Sequence, residues 1–316
     1  MKDLAKEPVK TLFLGTDWES VETLKVLHED PRFEIIGVVT QPDKKVGRKK
    51  VMTPSKVKTF AVDNDIPVYH TEAKGERYKE ALDLFEPELV VCKAFGEIVP
   101  KFFLEYPKYK SINIHFSLLP KYRGAVPIQK AILDGEKITG ITVMLMSEGL
   151  DEGDILEQVE EKILDHDTNQ SLRERLVEKS KNVLPNILEK WIKGEISPQK
   201  QNSSLVTYCW KKDISKENAE IDWEEMSSEY IERMVRAFLP WPVVWTLLDG
   251  KRLKLFNVDV FQCDTDKEAG ELFIADGVLL FSTKDKDVCI KINELQLEGK
   301  RKILSQEFIN GFEDHL

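Results

Sequence analysis

A chain of 316 residues, 41% apolar and 32% charged, has length for two domains with separate cores and too much apolar content for a disordered chain. No run of 18 apolar residues occurs, and the opening MKDLAKEPVK has no apolar leader stretch, so a cytoplasmic protein without a membrane span is expected. The net charge of −10 argues against a surface that grips nucleic acid everywhere, but not against a local basic patch, because charges act over about 8–10 Å in physiological salt. Cys92, Cys209, Cys263 and Cys289 lie far apart with no CxxC pair, and reduced, buried thiols are expected in place of a disulfide frame or a zinc site.

Val9 to Gly15 is a short apolar run closed by glycine, the pattern of a buried strand and a tight turn. Trp18 to His28 puts Val21, Leu24, Val26 and Leu27 on one helical face, and Phe33 to Thr40 is a second strand that Pro42 stops. Next, Lys44, Lys45, Arg48, Lys49 and Lys50 crowd into seven residues around Gly47, which predicts a mobile basic loop. A helix over Pro54 to Asn64, a strand over Ile66 to Tyr69, a helix over Gly75 to Phe85 and an apolar strand over Leu89 to Phe95 follow. Strands at Ile112 to His115 and Gly140 to Met146 bracket a helix at Pro127 to Leu133. This alternation predicts an α/β, Rossmann-like, mostly parallel sheet with helices on both faces and a ligand beyond the C-terminal strand ends.

Ser171 to Lys193 reads as a long amphipathic helix, after which the chain turns polar. The expected division is a catalytic domain over 1–193, a linker over 194–206 and a second domain over 207–316. There, one helix within Ile221 to Phe238 precedes five strand-like runs at 245–248, 253–260, 270–274, 278–282 and 288–297. Asp249-Gly250 and Asp276-Gly277 are hairpin signals, and a small OB-like β-barrel is predicted.

In a strand, Asn113 and His115 project from the same face, since side chains alternate. Asp151 follows the next strand, between Gly149 and Gly153, where the backbone can turn sharply and bring the acid to His115. Either group alone reads more readily as a self-capped strand end or a solvated turn. Together they suit acyl transfer to an amine. An Asn amide donates to an oxyanion, His relays a proton near neutral pH, and Asp orients the His or takes the proton through water. An Asp beside the imidazole is expected to raise its pKa. No Ser or Cys nucleophile with a base is evident, which favours direct transfer, and His28, His70, His166 and His315 are isolated, so no metal is expected.

NIHFSLLPKYRGAVPIQKAI followed by TGITVMLMSEGLDEGDIL resembles the methionyl-tRNA formyltransferase family, as do TQPDKKVGRKKVMTPSKVK upstream and RAFLPWP and LQLEGKR downstream. The resemblance implies 10-formyltetrahydrofolate as donor and the α-amine of initiator methionyl-tRNA as acceptor, with Asn113, His115 and Asp151 catalytic. It places Ser117, Leu118, Leu119 and Pro120 against the reduced folate, and Phe95, Gly96, Glu97, Ile98 and Val99 around the pterin. Lys44, Lys45, Arg48, Lys49 and Lys50 stand where the family carries its tRNA-inserting loop, the C-terminal barrel is implied to bind tRNA, and a monomer is expected. Three departures stand out: Phe95 replaces a usual Tyr, Val243 replaces a usual Gly, and residues 207–316 hold 15 Lys and Arg against 22 Asp and Glu where the family presents a positive face.

Other readings remain: a nucleotide-sugar N-formyltransferase or a formyl-folate hydrolase domain shares the Asn-His-Asp core, and a non-catalytic RNA-binding protein shares the scaffold. A dinucleotide oxidoreductase is weaker, because Leu14-Gly15-Thr16-Asp17 lacks G-x-G-x-x-G.

Overall fold

The computed structural model describes residues 7–47 and 49–312. They divide into two compact units. The first takes in residues up to Arg123, then Gly140–Glu161 and Arg175–Thr207. In chain order it begins β1 (Val9–Gly15), α1 (Trp18–His28), β2 (Phe33–Val39), the hairpin β3 (Lys44–Val46) and β4 (Val51–Thr53), α2 (Lys56–Asp63) and β5 (Val68–Tyr69). It continues with α3 (Gly75–Phe85), β6 (Leu89–Lys93), α4 (Lys101–Glu105), β7 (Ser111–His115) and the two-residue β8 (Arg123–Gly124). The chain then passes through α5 (Pro127–Leu133), which belongs to the second unit, before β9 (Ile138–Leu145), β10 (Ile155–Lys162) and the 24-residue α6 (Asn169–Ile192).

Seven strands form the main sheet, ordered β10-β9-β7-β6-β1-β2-β5. The middle strands are apolar runs buried on both faces: Leu12, Phe13 and Leu14 of β1 and Leu89, Val90 and Val91 of β6 are fully buried, as a covered parallel sheet requires. From β5 to β7 the ladders are parallel. One strand departs from the expected direction. β9 runs antiparallel to β7, with Ile112 opposite Leu145 and His115 opposite Thr142. Residues 116–137 between them are long enough to reach either end of β7, so the path of this connection, and not its length, sets the direction.

The second unit comprises Gly124–Thr139, Lys162–Glu174 and the chain from Tyr208 onward. It adds β11 (Tyr208–Cys209), α7 (Ser228–Ala237), β12 (Trp245–Leu248), β13 (Lys251–Gln262), β14 (Leu272–Ala275), β15 (Val278–Ser282), β16 (Val288–Leu297), β17 (Ile303–Leu304) and α8 (Ser305–Phe312). The sheet, ordered β12-β13-β16-β15-β14 with β17 on β16, curls into an antiparallel half-barrel, in keeping with the predicted barrel class. Both hairpin signals are turns: Asp249-Gly250 and Asp276-Gly277 each place two residues at positive φ, the type I′ geometry that matches strand twist. Ser227 caps α7 by accepting from the Tyr230 amide, and Ile231, Met234 and Val235 line its buried face.

Here a sequence expectation fails. Cys263 and Cys289 form a disulfide, 26 residues apart in sequence, with Cα atoms 5.9 Å apart. The β13–β16 register puts Phe261 opposite Cys289, and the Cys263 amide bonds to the Asp287 carbonyl, so a ladder brings together two thiols that spacing alone keeps apart. Cys92 and Cys209 are buried and lie outside the disulfide, as expected. No helix among the described residues is long and apolar enough to cross a membrane.

Candidate active site

Asn113 and His115 share one face of β7, and His115 is only 6% exposed. Because β9 is antiparallel, the chain leaves it beside Ser111, at the start of β7. Residues 146–154 then double back, and the Leu145 amide donates to the Asp154 carbonyl to close the loop at its base. Gly153 makes the return possible: a Cβ there would lie 1.8 Å from the Leu145 carbonyl oxygen. Asp151 sits in the left-handed region, φ 49°, which aims its carboxylate at the β7 face.

The three sequence-predicted polar groups therefore meet. Asn113 Nδ2 donates to Asp151 Oδ1 at 3.4 Å, and His115 Nδ1 lies 3.6 Å from Asp151 Oδ2. His115 Nε2 is 2.8 Å from the Tyr122 carbonyl. A carbonyl only accepts, so Nε2 carries the hydrogen, and in the neutral ring Nδ1 keeps its lone pair toward Asp151. The expected upward pKa shift is reversed. Burial pushes the His115 imidazole below its usual range; the Asp151 carboxylate pulls the other way without prevailing, the Tyr122 carbonyl also favours the charged ring, and Lys93 adds to the downward push. Nearby Cys92 is held as a thiol, its pKa pushed up to about 12 chiefly by burial and next by Asp151, so no thiolate nucleophile is at hand.

Gln201 escaped the sequence reading. Its amide donates to the carbonyls of Asp151 and Gly153, 2.8 Å each, and its oxygen accepts from Arg123 Nε and Nη2 at 3.1 and 2.8 Å. No signal in the sequence marks it: the need for an acceptor comes from the burial of Arg123, 7% exposed, which only the fold reveals. Around them Leu145, Met146, Glu152, Lys200 and Val206 line a cavity of about 510 Å³.

Ser117 to Pro120 is fixed mainly through Thr142, whose hydroxyl donates to the Ser117 carbonyl at 2.6 Å and accepts from the Leu119 amide at 3.1 Å. Ser117 Oγ donates to the Lys121 carbonyl, Gln158 donates to the Leu119 carbonyl, and the Leu119–Pro120 bond is cis. In the 95–99 segment the five residues divide. Phe95 and Val99 are buried, and Gly96, φ 80°, lets the Gln41 amide close on the Phe95 and Gly96 carbonyls. The Glu97 carboxylate accepts from Thr71, the Ala73 amide and Tyr78, whereas Ile98 is 86% exposed.

The basic stretch is a hairpin where a mobile loop was expected: Lys44 pairs with Thr53, Lys45 with Met52 and Val46 with Val51. Val46, Val51 and Met52, all exposed, give it strand character despite the lysines. Lys44 bonds to Gln41, and Asp43 to Lys58 at 2.7 Å, which anchors the hairpin base. Lys45, Lys49 and Lys50 are exposed, and Arg48 lies outside the described residues. No group of three or more His, Cys, Asp or Glu among the described residues is placed to hold a metal ion.

Residues 10–188 match the family described as formyl transferase, and residues 213–313 match the formyl transferase C-terminal domain. A methionyl-tRNA formyltransferase of Halalkalibacterium halodurans is 42% identical over 305 residues, 96% of this chain and 95% of that protein. The chain belongs to the methionyl-tRNA formyltransferase family. Another member, from Bacillus cereus, is 41% identical over 307 residues, 96% of each chain. Two solved structures share the family's fold at low identity. The N-formyltransferase from Helicobacter canadensis, with folinic acid and dTDP-3-aminofucose, has a TM-score of 0.67 at 22% identity, covering 90% of this chain and 98% of its own. HypX from Aquifex aeolicus, with tetrahydrofolic acid, has a TM-score of 0.61 at 18% identity, covering 98% of this chain and 48% of its own.

Proposed function

We propose that the protein transfers the formyl group of 10-formyltetrahydrofolate to the α-amine of initiator methionyl-tRNA, as a cytoplasmic monomer. The observation that carries this is the near-full-length identity to methionyl-tRNA formyltransferases, joined to the convergence of Asn113, His115 and Asp151. In this reading the amine attacks the formyl carbon and the carbonyl oxygen becomes an oxyanion. The Asn113 amide donates to it without changing charge. The neutral His115, hydrogen held on Nε2 by Tyr122, takes the amine's proton on Nδ1. The imidazolium so formed faces Asp151, whose carboxylate stabilises it. Proton delivery to N10 of the folate then accompanies cleavage of the carbon–nitrogen bond, leaving formylmethionyl-tRNA and tetrahydrofolate. Ser117 to Pro120 and Phe95 to Val99 border the folate. Residues 1–193 carry catalysis, 194–206 connect, and 207–316 bind tRNA, where Lys251, Arg252, Lys254, Lys300, Arg301 and Lys302 are local cations in an acidic region.

The acceptor is tested at the hairpin. A tRNA offers many phosphates and a small sugar amine few. Exchanging Lys44, Lys45, Arg48, Lys49 and Lys50 for Ser raises KM for charged initiator tRNA. It also flattens the salt dependence, by about 0.7–0.9 log units of slope for each phosphate no longer neutralised. Folate affinity stays as in the parent. Unchanged tRNA formylation and salt slope would remove the hairpin from tRNA binding, and an acceptor panel with nucleotide amino sugars would then decide the substrate.

A further inference from the structure

Beside the β7 strand lies an ion pair that the reaction above leaves unused. Lys93, the last residue of β6, is 4% exposed, and Glu19, in the first turn of α1, is 7% exposed. Lys93 Nζ and Glu19 Oε2 are 3.3 Å apart. Such a pair is a poor source of stability, because apolar residues of similar volume often replace one without loss. Its neighbours supply another reason for it. Lys93 Nζ donates to the Ile114 carbonyl at 3.2 Å and lies 3.1 Å from the centroid of the Phe116 ring. Ile114 precedes His115 and Phe116 follows it, so one ammonium holds the backbone on one side of the imidazole and an aromatic face on the other. Glu19 holds the ammonium in turn, its carboxylate favoured at the start of a helix, and Ser20 Oγ donates to the Lys93 carbonyl at 2.6 Å.

We infer that Lys93, held by Glu19, is a positioning residue for formyl transfer: it clamps Ile114 to Phe116 and so sets the aim of the His115 ring. This rests on His115 acting as the proton relay. The charges that face the ring are Asp151 from the loop after β9 and Lys93 from β6, with Glu19 of α1 behind Lys93 and the Tyr122 carbonyl on Nε2. Lys93 disfavours the imidazolium. Its removal therefore raises the His115 pKa and moves the acid limb of the kcat/KM profile to higher pH.

The test is the double variant Lys93→Met, Glu19→Gln, assayed beside His115→Ala. The double variant is expected to keep the parent's thermal midpoint or exceed it. Its kcat falls roughly tenfold from misaiming, KM for folate and for tRNA stays within about twofold, and the acid limb rises in pH. A purely structural pair would change the midpoint and leave kcat and the limb alone. Parent kcat and parent pH profile in the double variant, with His115→Ala inactive, would overturn the inference and spare the relay. Parent turnover in His115→Ala would overturn both. If the double variant does not fold, Lys93→Arg decides: it keeps a charge beside Glu19 but displaces the clamp on Ile114 and Phe116, so kcat falls while KM holds, and parent kcat with the parent pH profile overturns the inference.

Discussion

Lys93 with Glu19 in the first unit and Lys302 with Glu294 in the second are both ion pairs of ordinary length, 3.3 and 2.7 Å, yet they do opposite things. The first has side chains 5% and 8% exposed and touches the Ile114 carbonyl and the Phe116 ring, on either side of His115. The second ties β17's approach to β16 from outside, with side chains 50% and 31% exposed. Water screens the outer pair and leaves it worth about 0–1 kcal/mol. Desolvation makes the inner pair intolerant of losing one partner, whatever its net contribution. Burial, and not the presence of a salt bridge, marks the charges that bear on the chemistry.

The largest effect should come from breaking the inner pair on one side. Lys93→Met alone takes the ammonium away from the buried Glu19 carboxylate and should cost about 3–5 kcal/mol in urea unfolding; a loss below about 1 kcal/mol would put the pair in the class of Lys302 and Glu294. Next, Asn113→Ala should lower kcat by about 10²–10³ with the thermal midpoint near the parent's. Combining it with His115→Ala should cost less than the product of the two, because the groups act as a unit. Near-parent turnover in Asn113→Ala would refute its role at the oxyanion.

A smaller effect belongs to the second unit. Asp285 accepts from the Ser228 amide and hydroxyl at 2.6 and 2.7 Å, and those bonds hold its carboxyl below the usual carboxylate range. A depressed carboxyl stabilises the fold above its unfolded pKa, about 3.9, and loses that contribution as pH falls through the folded value. Asp285→Ala should therefore cost about 1 kcal/mol at neutral pH, the scale of a helix-cap loss. The parent and variant stability curves should converge toward acid pH, and curves that stay parallel would contradict the assignment. Last and least, Lys302→Ala should change stability by under about 1 kcal/mol, and less in high salt.

Much of the fold is legible in the residues. The helix at Pro127 to Leu133 and the strands at Val9 to Gly15 and Val278 to Ser282 have the predicted bounds, because Pro, Gly and apolar periodicity act locally. What was missed depends on partners far along the chain. β10, ILEQVEEK, is an edge strand whose outer face is charged, so its alternation is weak. Short α4 and the C-terminal α8 lack strong start signals, and the direction of β9 depends on its connection, not its composition. In the site, the meeting of Asn113, His115 and Asp151 could be read from period-two alternation and two glycines. The sign of the His115 shift could not, since burial is set by everything packed around it. Nor could Gln201, which acts through backbone carbonyls that any residue has.

Gln201 also bears on where the chain can be cut. The acid loop is tied at its base by Leu145 and Asp154, but its tip is tied through a residue some fifty positions further on, past the last turn of α6. A fragment ending at residue 193 would retain Asn113, His115 and Asp151 and lose the amide that holds the Asp151 carbonyl. It would also take from the buried Arg123 the Gln201 oxygen to which its guanidinium donates. A shortened catalytic protein that keeps its acid in place must extend through Thr207, whose carbonyl and hydroxyl take the Arg123 and Tyr122 amides.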